Sequence, residues 1–185
     1  MLKSEIQTPP LITTYLEMQS RAGTRKAKGE TLNKDLQIRE LTQPDWKFNR
    51  EMYFKVGENW KWTDKRPWTD EQWKEYAADP NLRTFAGYIG GQVAGYFELL
   101  RSSIARHPSH VTHHNDEIEI AYFGLLSSFI GRGLGGALLT SAIENAWAWS
   151  PAPSRVWVHT CNHDHPSALT NYQARGFKIY KIVED

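Results

Sequence analysis

Between Gly131 and Gly136 the chain reads Gly-Arg-Gly-Leu-Gly-Gly, four glycines in six residues. The run follows a strand-like segment and opens an amphipathic helical pattern that starts at about Leu134. The first N–H groups of a helix lack an intrahelical partner and carry partial positive charge, and glycine lets an anion approach them closely. Gly131, Arg132, Gly133, Leu134, Gly135 and Gly136 are therefore read as an anion site suited to a pyrophosphate. The Arg132 side chain either adds charge to it or points to solvent. A tight strand-to-helix turn also asks for glycine, but it does not need four.

The same run satisfies G-x-G-x-x-G at Gly131, Gly133 and Gly136, a pattern of dinucleotide binding. In that fold the glycines follow the strand at once, and an acid lies about 20 residues further on. Here Leu126 to Ile130 intervene, and the acids after Gly136 are Glu144, in mid-helix, and then Asp164. The dinucleotide reading fails on both counts. A P-loop needs Gly-Lys-Ser/Thr, which the chain lacks.

Other side chains could carry chemistry. Glu117-Ile118-Glu119-Ile120 alternates, so a strand there puts the two carboxylates on one face and the two isoleucines on the other. Such a face is either solvated or a place for a proton-accepting carboxylate. His107, His110, His113 and His114 share one loop, while His159, Cys161, His163 and His165 alternate. Zinc takes both residue types. Neither set has the spacing of paired ligands, and Asn162 to Pro166 reads as a loop, so no metal is expected. Cys161 is the only cysteine, which excludes an internal disulfide.

Eight tryptophans is the one unusual count. Trp60, Trp62, Trp68 and Trp73 lie close together, and Trp73 suits core packing on a helix. Trp60 and Trp62 sit in a polar loop and are read as lining for an aromatic or cationic substrate. Arg21, Arg25, Lys26 and Lys28 form a basic run without an acid. A solvated loop is the plain reading, and contact with a phosphate on a cofactor or RNA the sharper one.

Strands are expected at Leu36–Leu41, Thr84–Ile89, Gln92–Leu100, Glu117–Leu125, Arg155–Thr160 and Phe177–Val183, with a hairpin at Gly90-Gly91. Helices are expected at Gln43–Glu58, at Thr69–Ala78 with Thr69 as N-cap, from Leu134 to Trp149, and at Ser167–Arg175. That order describes an α/β (α+β) domain with a mixed sheet. A chain of 185 residues suits one domain. Residues 1–34 are read as an N-terminal extension, with a strand-like stretch at Thr13–Met18 and the basic loop, and residues 35–185 as the domain. The net charge of +1 argues against dedicated duplex binding. No apolar run approaches the roughly 18 residues of a membrane helix, and Met1 to Pro10 carries no apolar signal core. A cytoplasmic protein is the default expectation.

Gly131-Arg132-Gly133-Leu134-Gly135, with its preceding strand, resembles the acyl-CoA-binding motif Gln/Arg-x-x-Gly-x-Gly/Ala of the GNAT (GCN5-related) N-acetyltransferases. Ile130 stands at the Gln/Arg position. Ala168-Leu169-Thr170-Asn171-Tyr172-Gln173-Ala174-Arg175-Gly176-Phe177 is similar to the family's Ala-x-x-x-Tyr-x-x-x-Gly-Phe ending. His165 replaces the usual Asn three residues before Ala168. The resemblance covers roughly residues 36 to 183. It implies a mostly antiparallel sheet flanked by helices, with a strand–glycine loop–helix unit that binds acyl-CoA.

The implied activity is transfer of an acetyl group from acetyl-CoA, as cosubstrate, to a primary amine of unknown identity, whether a small molecule or a peptide. By resemblance Glu119 is the candidate base and Tyr172 the candidate acid at the thioester sulfur. Backbone N–H groups near Phe123, Gly124 and Leu125 would bind the oxyanion and pair with the pantetheine amides. His165 and Ala168 would lie beside the cofactor. Dimers are common in the family, and no residue here proves one. The alternative is a domain of this fold that senses CoA or binds a partner without catalysis.

Overall fold

A computed structural model describes residues 10–25, 35–103 and 116–185. Among them the order is β1 (Ile12–Met18), β2 (Gln37–Glu40), α1 (Trp46–Gly57), α2 (Asp70–Ala77), β3 (Leu82–Ile89), β4 (Gln92–Ser103), β5 (Asp116–Leu125), α3 (Leu134–Ala148), β6 (Arg155–Cys161), α4 (Ala168–Ala174) and β7 (Lys178–Glu184). The loop of four histidines, and Lys26 and Lys28 of the basic run, lie outside the described residues. Arg21 and Arg25 are exposed.

Local chemistry sets most of the boundaries. The Asp45 carboxylate caps α1 by accepting from the Phe48 N–H at 3.0 Å. Thr69 and Gln72 form a reciprocal capping box at the start of α2, with Asp70 and Glu71 in the first turn. Gly90 and Gly91 take φ of 56° and 80°, as the two-residue turn between β3 and β4 requires.

The strands form one seven-stranded sheet in the order β2-β3-β4-β5-β6-β1-β7. Every pairing is antiparallel except that of β5 with β6. The stretch that the sequence sets apart as an extension thus supplies β1 to the interior of the sheet. Leu16 of β1 sits opposite Val158 on one side and Ile179 on the other, and it is fully buried.

Tyr96 and Phe97 are neighbours on β4 and enter different clusters, which locates the two layers. Phe97 joins Leu16, Ile118, Ile120, Leu138, Ile143, Val156 and Tyr172 under α3 and α4. Tyr96 joins Met52 and Val56 of α1. β5 serves both layers by means of a bulge. Glu98 of β4 faces Tyr122 while Leu99 faces Ile120, so Ala121 has no partner. The extra residue shifts the alternation. Ile118, Ile120 and Phe123 turn toward α3, and Tyr122 turns toward α1.

A buried carboxylate ties α1 and α2 to the sheet. Glu98 of β4 is 1% exposed. It accepts from Asn49 Nδ2 of α1 at 2.8 Å and from the Tyr76 hydroxyl of α2. Burial holds its carboxyl above the usual range, against the pull of these donors. No helix of the described residues is long and apolar enough to cross a membrane.

Because Leu16 packs between two strands of the sheet, Leu16→Ala should lower the unfolding free energy by about 2–5 kcal/mol. Urea denaturation measures this, and a change below 0.5 kcal/mol (roughly the scale of a surface substitution) would mean that β1 does not belong to the cooperative core.

Candidate active site

β5 and β6 begin as a parallel pair and then separate. Glu117, Ile118 and Glu119 face Arg155, Val156 and Trp157, and no further pairing joins the two strands. The facing edge of β5 from Ile120 to Leu125 is therefore left without a strand partner. Buried backbone groups need partners, so a chain carrying amides fits there as a further strand would. Phe123 and Tyr172 meet at the base of the opening, ring centroids 6.3 Å apart.

The fork runs toward the start of α3. Gly133 caps this 15-residue helix in the left-handed conformation, with no side-chain cap and no acid in the first turn. Gly131 and Gly133 have φ of 82° and 73°, and a Cβ at either would meet nothing within 4 Å. Backbone conformation, not crowding, thus demands glycine here, and the space outside stays open to an approaching anion. Arg132 is the exception in the run. Its guanidinium lies over the Phe129 ring at 4.9 Å, and it does not line the cleft as its neighbours do.

Fork and glycine turn open into one cleft of about 750 Å³. Its walls include Phe123, Gly124 and Leu125 of β5, Gly131 and Gly133 to Gly136 of the turn, and His165, Ala168 and Tyr172 around α4. Trp60 and Trp62 also line it. Glu119 does not; the residue that reaches the cleft beside it is His159.

The connection from α1 to α2 crosses the cleft as a strap. Trp62 donates its indole N–H to Asp164 at 3.3 Å, Asn59 donates to Ser127 Oγ at 3.2 Å, and the Trp60 ring meets His165 at 5.1 Å. Lys65 anchors the strap from behind. Its ammonium lies 4.4 to 4.8 Å from the centres of the Trp68, Tyr76 and Tyr122 rings and donates to the Tyr122 hydroxyl at 2.9 Å. Asp64 accepts from Tyr122 at 2.5 Å and from Tyr53 at 2.8 Å. Burial pushes Asp64 up, but those hydroxyls and Lys65 together keep its carboxyl below the ordinary value. Trp68 and Trp73 serve this anchor, Trp73 being fully buried. Gly57 ends α1 where a Cβ would stand 2.6 Å from Trp62, so the close packing of the strap needs glycine there.

At the crotch of the fork two carboxylates share the face expected from their alternation. Glu117 lies 3.3 Å from Nη1 of Arg155, whose Nε is 2.9 Å from Glu17. Glu119 instead accepts from Nδ1 of His159 at 3.2 Å, with side chains 16% and 46% exposed respectively. That hydrogen bond raises the His159 pKa above its ordinary value of 6.5, while burial opposes it. Tyr172 is buried, and burial moves its phenol upward. Its hydroxyl has no hydrogen-bond partner among the described residues.

Sequence reasoning passed over His159, Asp164 and the anchor of Asp64 and Lys65. The alternation from His159 to His165 suggests metal ligands, and of its three histidines only His165 is given another place, beside the cofactor. β6 ends at Cys161, so His163 and His165 belong to the following turn and share no strand face with His159. Among the described residues no group of three His, Cys, Asp or Glu is placed to hold a metal.

The profile of the acetyltransferase (GNAT) family matches residues 36–177. No curated protein matches the chain. Among solved structures, a GCN5-related N-acetyltransferase from Sphaerobacter thermophilus superimposes with a TM-score of 0.64 at 14% identity, covering 96% of this chain and 51% of that one. An aminoglycoside acetyltransferase from an uncultured soil metagenomic sample gives 0.59 at 13% identity, covering 78% and 89%. A conserved protein of unknown function from Staphylococcus epidermidis gives 0.56 at 15%, covering 94% and 59%. The chain thus spans little more than half the length of two of these three proteins.

The His159–Glu119 pair has a measurable consequence. A raised pKa means that the pair's stabilisation is full below about 6.5, the unfolded value, and is lost as pH rises through the folded midpoint. NMR titration of the His159 ring should give a midpoint above 6.5, and Glu119→Gln should lower it. Equal midpoints in the two proteins would show that the pair does not form in solution.

Proposed function

The chain belongs to the acetyltransferase (GNAT) family, and from that premise we propose that it transfers an acetyl group from acetyl-CoA to a primary amine. One observation carries the reading: the open edge of β5 and the uncapped, glycine-lined start of α3 share a single cleft. A pyrophosphate joined to an amide-bearing arm has those two requirements in that order. Gly131 and Gly133 to Gly136 would hold the pyrophosphate on backbone N–H groups. The edge from Ile120 to Leu125 would pair with the pantetheine amides. His165 and Ala168 would flank the arm. Acetyl-CoA supplies the activated acyl group.

The chain's own residues then supply three things. An alkylamine is mostly protonated at neutral pH, with a pKa of about 10.4, so a base must remove a proton before nitrogen can attack. The basic capacity comes from the pair of Glu119 and His159 at the crotch of the fork. Backbone N–H groups near Phe123 to Leu125 stabilise charge on the carbonyl oxygen. Tyr172 holds its proton through the physiological range and donates to the departing sulfur. Trp60 and Trp62 form the wall on the acceptor side, where an aromatic or cationic amine suits them. The aminoglycoside acetyltransferase among the similar structures makes polycationic amines a reasonable first group to screen.

Acetyl-CoA and CoA, but not NAD, should raise the melting temperature. At 100 times its dissociation constant a ligand adds about 2.7 kcal/mol, or several degrees. Gly133→Val forces a β-branched residue into the left-handed region and should abolish the shift. Tyr172→Phe should cut thiol release on the order of 100-fold and leave the shift intact. No shift with either CoA species would overturn the reading. A shift without thiol release from any amine would favour the non-catalytic, CoA-sensing alternative.

A further inference from the structure

The acyl-transfer reading calls for a base where the fork opens, and the carboxylate of Glu119 is not the group that reaches the cleft. Its side chain is 16% exposed and is occupied by His159 Nδ1. The imidazole of His159 is more open, lines the cleft, and lies two residues beyond Trp157, the last residue of β6 to pair with β5. Resting on that reading, we infer that His159 meets the acceptor amine through Nε2, and that Glu119 is a positioning residue that acts through it.

The chemistry of the ring supports the division of labour. When Nδ1–H donates to Glu119, the neutral imidazole carries its lone pair on Nε2. The ring is also held in place. Tyr15 of β1 lies against it at 5.7 Å and Trp157 at 6.2 Å, both tilted by about 30°. Glu117, the other carboxylate on this face, is paired with Arg155 and offers no comparable contact.

The proton balance closes. His159 takes one proton from the ammonium, and the amine nitrogen attacks the thioester carbonyl. The C–N bond forms and the C–S bond breaks. Tyr172 protonates the leaving thiolate, and the excess proton of the new amide returns to Tyr172. The proton on His159 passes to solvent, so an ammonium and a thioester yield an amide, a thiol and one proton.

Charges from three elements act on His159: Glu119 from β5, Asp164 from the turn after β6 and Asp64 from the strap; the Tyr15 phenol of β1 packs against its ring, with the Lys181 ammonium of β7 over Tyr15. Glu119 dominates, so its removal is the informative change. The experiment follows thiol release from acetyl-CoA with spermidine, with an aminoglycoside and with a hexapeptide bearing a free N-terminus, from pH 5.5 to 9. In the wild type kcat/KM should rise with pH through a limb above 6.5, set by His159. His159→Gln should abolish that limb and lower kcat on the order of 100-fold, with the thermal shift by acetyl-CoA unchanged. Glu119→Gln should move the limb to lower pH and lower kcat less. A limb that persists unmoved in His159→Gln would overturn the inference and leave acyl transfer standing. Wild type that turns over none of the three amines would count against acyl transfer itself, and the inference would fall with it.

Discussion

The parting of β5 from β6 is the constraint on which the rest of the structure depends. Two strands that pair and then separate leave a row of backbone amides and carbonyls without partners, which is costly in a protein interior. On its other side β6 is held by β1, which pairs with it from Val156 to Cys161, beyond the point where β5 leaves it. β5 is held by β4 on its other side through Gly95 and Leu125. The Asp164 carboxylate closes the end of β6 by accepting from the Cys161 N–H at 2.9 Å and the Thr160 hydroxyl at 2.8 Å. With both outer edges secured, the inner edge of β5 can stay free for a ligand.

The second layer follows from that opening. A cleft between strands needs a wall on the side away from α3, and the strap from α1 to α2 provides it. Its rigidity comes from pairing charges with aromatic rings. Lys65 lies among three rings, and Asp64 takes two tyrosine hydroxyls. The buried Glu98 fixes the helices that carry the strap. Trp60 and Trp62 therefore meet the cleft from a supported backbone, with Trp62 bonded across it to Asp164.

Much of this was legible in the residues. The Gly90-Gly91 hairpin, the Thr69 cap, the glycine turn and the period of β5 each carry a local signal, and the structure has them where the sequence points. Glu117 and Glu119 do share a face. What the residues did not disclose is long-range. Nothing within Ile12–Met18 says that it lies between β6 and β7, because pairing order is not a property of a strand's own composition. The bulge at Ala121 is set by register with β4. The Glu119–His159 pair joins residues from two strands whose alignment only the assembled sheet defines. Arg132 kept charge and position in the motif, yet local packing turned it onto Phe129.

The place of β1 also orders events in time. The amide of Ile12 bonds to the side chain of Asn162, 150 residues later, and of the strands beside β1, β6 is synthesised after α1, α2 and α3, and β7 after α4 as well. Its pairing therefore waits until nearly all of the described chain has emerged, and such distant contacts are slow to form. During synthesis β1 is an unpaired strand in search of neighbours that do not yet exist, the kind of segment that chaperones cover. The same delay acts as a completeness check. A nascent or truncated chain without β6 and β7 has no partners for β1, and without β6 it lacks one side of the fork.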